Sequence, residues 1–207
     1  MKKIALLVLV LFCGTSNAQK KKKSTTNPIV AVIITKTENL TAEVIKPNFY
    51  IFRNENSIKK DTLLLKAFSS SITPTDCVIK KFVTKSTPLY YVSWTEKMNS
   101  ETKLKKETIV VTNVQIWNPA TKMQVFSNTQ TSTNIKEQVF LDKNKTASET
   151  QERNRNEGYN FTLLPTGDFT LKNKAVESKY NLNTVTMKYE LPQKSADVSK
   201  SSKKKKK

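Results

Sequence analysis

The 207-residue chain contains no histidine, three glycines and two cysteines. The missing histidine removes the usual neutral-pH acid and base, the base of Ser–His and Cys–His pairs, and the commonest metal ligand. Gly14, Gly158 and Gly167 lie too far apart for a glycine-rich phosphate loop. Few left-handed turns are therefore on offer, and turns fall to Asn, Asp, Ser and Pro. Cys13 lies in the first eighteen residues, which leaves Cys77 alone. A lone cysteine makes no internal disulfide and no thiolate metal site, so stability must come from packing. Its setting, Asp76-Cys77-Val78-Ile79, suits a buried free thiol.

What is present begins with an address. Lys2 and Lys3 precede an uncharged apolar run over 4–12, far short of the roughly 20 residues that span a bilayer. Ser16 and Ala18 then stand at the −3 and −1 positions before Gln19. This layout predicts a secretory signal peptide over 1–18, cut between Ala18 and Gln19. The Lys-Lys start and the Gln after the cut resemble exported proteins of Gram-negative bacteria. Lipid attachment at Cys13 is not expected, because Phe12, after Leu11, is bulky where a small residue is wanted. The mature chain is expected in the periplasm, at the outer-membrane surface or secreted, with no transmembrane span left after cleavage.

The charge is concentrated at the ends. The chain carries 36 basic and 17 acidic residues, a net of +19. Thirteen of the basic residues fall in 1–23 and 193–207, which leaves 23 basic against 16 acidic over 24–192. The candidate contacts for an anionic polymer are therefore Lys20, Lys21, Lys22 and Lys23 at one end and Lys203, Lys204, Lys205, Lys206 and Lys207 at the other. Such runs are solvated and self-repelling, and they attract polyanions by a salt-sensitive, sequence-independent route.

Between the ends the dominant period is two. Residues 29–34 form a β-branched run suited to a buried strand. Segments 41–46 and 48–53 flank Pro47, and 61–68 and 77–83 read as further strands. On 89–94 the residues Tyr90, Val92 and Trp94, continued by Glu96, share a face. Over 104–117, Val110, Thr112, Val114 and Ile116 oppose Ile109, Val111 and Trp117. Asn118-Pro119-Ala120-Thr121 is turn chemistry leading into a return strand over 122–127. The polar run 128–134 reads as exposed strand or loop, and 135–141 as a further strand. A second hairpin turns at Pro165-Thr166-Gly167-Asp168, and 184–191 alternates as a half-buried strand. The one helix signal is Thr146-Ala147-Ser148-Glu149, a capping box, followed by Glu149–Arg153 and Glu152–Arg155 spacings and a stop at Gly158. Without an apolar stripe it predicts only a short polar surface helix near 147–157.

These patterns predict a mostly-β fold. It consists of a basic and polar linker over 19–27, one antiparallel domain over 28–192 and a lysine-rich tail over 193–207. The domain is a sandwich, or alternatively a curved sheet or open barrel. For chemistry, Glu96 and Glu107 are the one carboxylate pair near an aromatic, and they suggest sugar hydrolysis as an alternative function. Asp142-Lys143-Asn144-Lys145-Thr146 imitates the opening of a calcium loop but lacks its glycine and places Arg153 where glutamate is needed. Three Asn-x-Thr triplets match chance in so Asn- and Thr-rich a chain. Tyr90, Tyr91, Trp94 and Trp117 read as core before they read as a ligand platform. The leading expectation is a non-enzymatic binding or accessory module of the cell envelope, with no catalytic residues, cofactor or metal. Its partner is an anionic envelope polymer or another envelope protein. An adhesive or matrix role through the lysine tails is the remaining alternative.

Overall fold

The computed structural model describes residues 31–56, 58–68 and 72–192. The signal peptide, its Ala18/Gln19 cut and both lysine runs, 20–23 and 203–207, lie outside the described residues.

The described residues form thirteen strands and no helix. The first sheet comprises β1 (Val32–Thr37), β2 (Leu40–Ile45), β3 (Asn48–Glu55) and β4 (Ile58–Ala67). The middle sheet comprises β5 (Thr75–Thr84), β6 (Thr87–Glu101), β7 (Lys105–Asn118), β8 (Met123–Phe140) and β9 (Ser148–Glu157). The third comprises β10 (Asn160–Leu163), β11 (Phe169–Lys172), β12 (Glu177–Asn183) and β13 (Lys188–Glu190). Every pair is antiparallel and every strand pairs with its neighbour in the chain, so each sheet is a meander. None closes into a barrel.

Two apolar cores lie on opposite faces of the middle sheet. On one face Ile79, Val92 and Trp94 pack with Leu40, Ala42, Val44, Phe49, Ile51, Leu63 and Leu65 of the first sheet. The register explains the set: Ala42 faces Ile51, Val44 faces Phe49 and Ile51 faces Leu63, so alternate residues of three strands share a side. Phe49 meets Trp94 edge to face at 5.4 Å. On the other face Leu89 and Ile116 pack with Phe169 and Leu182 of the third sheet. Phe169 is the hub, with Phe126 at 4.2 Å, Tyr189 at 4.6 Å and Phe161 at 4.9 Å. Burying this many rings is the main stabilising term where the described residues hold only the free Cys77.

Several sequence expectations need correction. The segment 147–157 is not a helix; it is β9, paired with β8 from Thr131/Glu157 to Phe140/Ser148. The capping signal is overridden by Asp142, whose carboxylate accepts the Thr146 and Ala147 amides at 2.9 Å each and closes the β8–β9 turn instead. The expected i,i+4 charge pairs give way to cross-strand ones, Arg153–Glu137 and Lys136–Glu152. The run 29–34 does not supply a buried strand: residues 29 and 30 lie outside the described residues, and Val32 and Ile33 are exposed on the edge strand β1. The alternation over 184–191 is largely a turn, in which Asn183 Oδ1 accepts the Val185 and Thr186 amides and Val185 is 91 % exposed. Only Lys188–Glu190 remains strand. The polar run 128–134 and its two flanks fuse into the single strand β8.

Both described glycines occupy positive φ, and an added Cβ would lie 2.4 Å from Thr129 O at Gly158 and 2.4 Å from Thr84 Cβ at Gly167. Phe169→Ala is expected to cost about 3–5 kcal/mol, and Gly158→Ala more than about 1 kcal/mol, read as a lowered urea midpoint. An unchanged midpoint for Phe169→Ala would remove the second core from the account.

Candidate functional site

The middle sheet outruns its cover. Beyond Trp94 on β6, Ile116 on β7 and Phe126 on β8, no described residue toward the β6–β7 and β8–β9 turns belongs to either core. Every residue of β9 is exposed. Among the described residues this half of the sheet is covered by neither core, although Ile135 within it is buried.

Glu96 marks the border. It is 3 % exposed and accepts hydrogen bonds from Trp94 Nε1 at 2.8 Å, Asn113 Nδ2 at 2.9 Å and Lys66 Nζ at 2.6 and 2.8 Å. Asn113 Oδ1 in turn accepts from Thr129 Oγ1 at 3.2 Å. A buried carboxylate holding this many donors pins β4, β6, β7 and β8 together where the apolar core ends.

Past that border the register aligns the side chains in rows. On the face toward the third sheet, Thr95, Thr112 and Gln130 form one row; Lys97, Val110, Ser132 and Asn156 the next; Asn99, Thr108, Asn134 and Asn154 a third. Asn134 Nδ2 donates to Asn154 Oδ1 at 2.9 Å and to Glu152 Oε1 at 2.8 Å. Rows stand ~7 Å apart along the strands and neighbours ~5 Å apart across them. Apart from Lys97 and Val110, the rows consist of hydroxyl and amide groups able both to donate and to accept. The opposite face is apolar at its centre, with Met98, Ile109, Val111 and Ile135, and charged at the β9 margin through Arg153, Arg155 and Glu157.

The expected carboxylate pair does not come together. Glu96 lies opposite Val111, whereas Glu107 pairs with Ser100, four positions further along β7. That offset is ~13 Å of strand, beyond the roughly 5–10 Å that glycoside hydrolysis uses. Glu107 is instead bonded to Lys105 at 2.6 Å. The Asp142 loop spends its carboxylate on backbone amides, and no His, Cys, Asp and Glu grouping fit for a metal occurs among the described residues. Tyr90, Trp94 and Trp117 join the first core, and Tyr91 stacks on Phe161 at 5.7 Å beside the second, so they form no platform. Cys77 packs against the first core, and burial pushes its thiol up to about 12, which leaves it unreactive at neutral pH.

The polar lattice is the feature that sequence reasoning did not single out. Its signal is the Thr, Asn, Gln and Ser content of 128–134, together with Thr150, Asn154 and Asn156. No known protein family, curated protein or solved structure matches the chain. Among the described residues no helix is long and apolar enough to cross a membrane.

Two outcomes follow from these contacts. Glu96→Leu leaves the Trp94 and Asn113 donors without an acceptor and is expected to destabilise by about 2–4 kcal/mol in urea denaturation; a neutral result would mean that the carboxylate is not the pin. Several carboxylates are held below their ordinary range: Asp142 by the Thr146 hydroxyl and amide, Asp76 by the Thr95 and Thr75 hydroxyls, Asp61 by Lys122, and Glu152 by Asn134 and Lys136. A depressed carboxylate adds stability above its unfolded pKa and loses it as pH falls through the folded one. With no histidine to titrate, the melting temperature is expected to stay flat from about pH 6 to 8 and to fall below about pH 4. A slope between pH 6 and 8 would contradict this.

Proposed function

We propose that this chain is an exported, non-catalytic binding module of the cell envelope, formed by one layered β domain over 28–192. Its recognition surface is the polar face that the middle sheet presents beyond its cores. One observation carries the reading: rows made mostly of hydroxyl and amide groups lie across four strands, outside the second core among the described residues. Such groups match the hydroxyls of a polysaccharide, which offers donors and acceptors at similar spacing. The separation of Glu96 from Glu107 speaks against the hydrolytic alternative. The export part rests on the sequence layout of 1–18, which places Ala18 and Gln19 at the cut.

A second reading rests on charge. Eleven of the basic residues sit in 19–23 and 193–207, and these would hold anionic polymer wherever the folded part goes.

Two measurements test these readings. The mature protein should have the mass of a chain starting at Gln19; intact precursor in the cytosol would overturn the export reading. Binding to purified envelope polysaccharide should survive added salt and weaken about tenfold in an Asn134→Ala/Asn154→Ala variant. Binding indifferent to that change, but steeply salt-dependent and lost on deleting 194–207, would transfer the function to the tail.

A further inference from the structure

We propose that β9 is a self-association edge, through which two copies of this chain join their middle sheets about a twofold axis centred on Gln151. The strand is the last of its sheet, and its outward N–H and C=O groups have no partner strand among the described residues. Proteins commonly blunt such an edge with proline, a bulge or a short strand. β9 has none of these. It is 10 residues long, contains no proline and keeps an unbroken register with β8. Its blunting would have to rest on charge alone, and the charges are of both signs.

Their order decides what fits. In a twofold antiparallel pair, opposed residues share a face, so the axis must pass through a residue rather than between two. Centred on Arg153, the pairing opposes Arg153 to itself and Glu149 to Glu157. Centred on Asn154, it opposes Arg153 to Arg155. Centred on Glu152, it opposes that carboxylate to its copy. Centred on Gln151, Glu149 meets Arg153 twice, Ser148 meets Asn154 twice and no like charges are opposed. Beyond the ladder, Lys145 lies toward Glu157. A second copy is therefore the partner that this edge complements. Because the axis stands perpendicular to the sheet, both polar faces lie on one side of the joined sheet. The inference is independent of what those faces bind.

The test uses the full mature chain in sedimentation equilibrium at moderate salt. The wild-type protein is expected to dimerise at micromolar concentration. Arg153→Glu alone and Glu149→Arg alone should each raise the dimer dissociation constant about tenfold or more, since two symmetry-related attractions become repulsions. The double exchange, Glu149→Arg with Arg153→Glu, should restore dimerisation. This rescue separates a lost interface from a damaged fold, and an unchanged far-ultraviolet circular dichroism spectrum checks each variant. A wild-type monomer at 100 µM or so, single variants that dimerise normally, or a double variant that stays monomeric would each overturn the proposal.

Discussion

The alternation along the first half of β6 is the constraint on which the other layers depend. Leu89 turns into one core and Val92 and Trp94 into the other, and all three are buried. A strand apolar on both faces must be covered on both, and an antiparallel meander offers no crossover helix for the purpose. The two outer sheets supply that cover, one folded from the chain before β5 and the other from the chain after β9. Where the alternation turns polar, at Glu96, cover is no longer needed. The buried carboxylate with its three donor residues is how the sheet passes from a filled interior to an open layer.

The residues that were legible in the sequence are those for which pattern and packing agree. Tyr90, Val92 and Trp94 share a face under a period of two, and that face is buried. Pro47 and Asn118-Pro119 do mark turns. The failures share a cause, which is that local chemistry was consistent with more than one partner. Thr146 to Glu149 suits a helix cap, but β8 runs past with an open edge, and pairing of the whole of β9 outweighs one capping box and a few side-chain pairs. The run 29–34 is as apolar as a central strand, yet β1 has a neighbour on one side only. Val185 and Leu191 alternate correctly and are exposed, because the chain turns between them.

The candidate site was legible only in its parts. That Glu96 lies on the face of Trp94 follows from strand geometry. How far it sits from Glu107 follows from the register of two strands, which no single segment carries. The same holds for the polar face. Thr108, Asn134 and Asn154 belong to three separate stretches, which read in turn as strand, as exposed strand or loop, and as a short polar helix. They become one row when β7, β8 and β9 align.

The meander order has a consequence for how such a chain acquires its shape. Within each sheet every strand pairs with its sequence neighbours, so every pairing closes a short loop at small entropic cost. A polypeptide that emerges N-terminus first can complete β1 to β4 before β5 exists. Its apolar side then stays wet only until β5 and β6 arrive to dock, and the last four strands repeat the step on the far side. Strand pairing thus stays local, while the second face of β6 waits for Phe169 and Leu182 far along the chain.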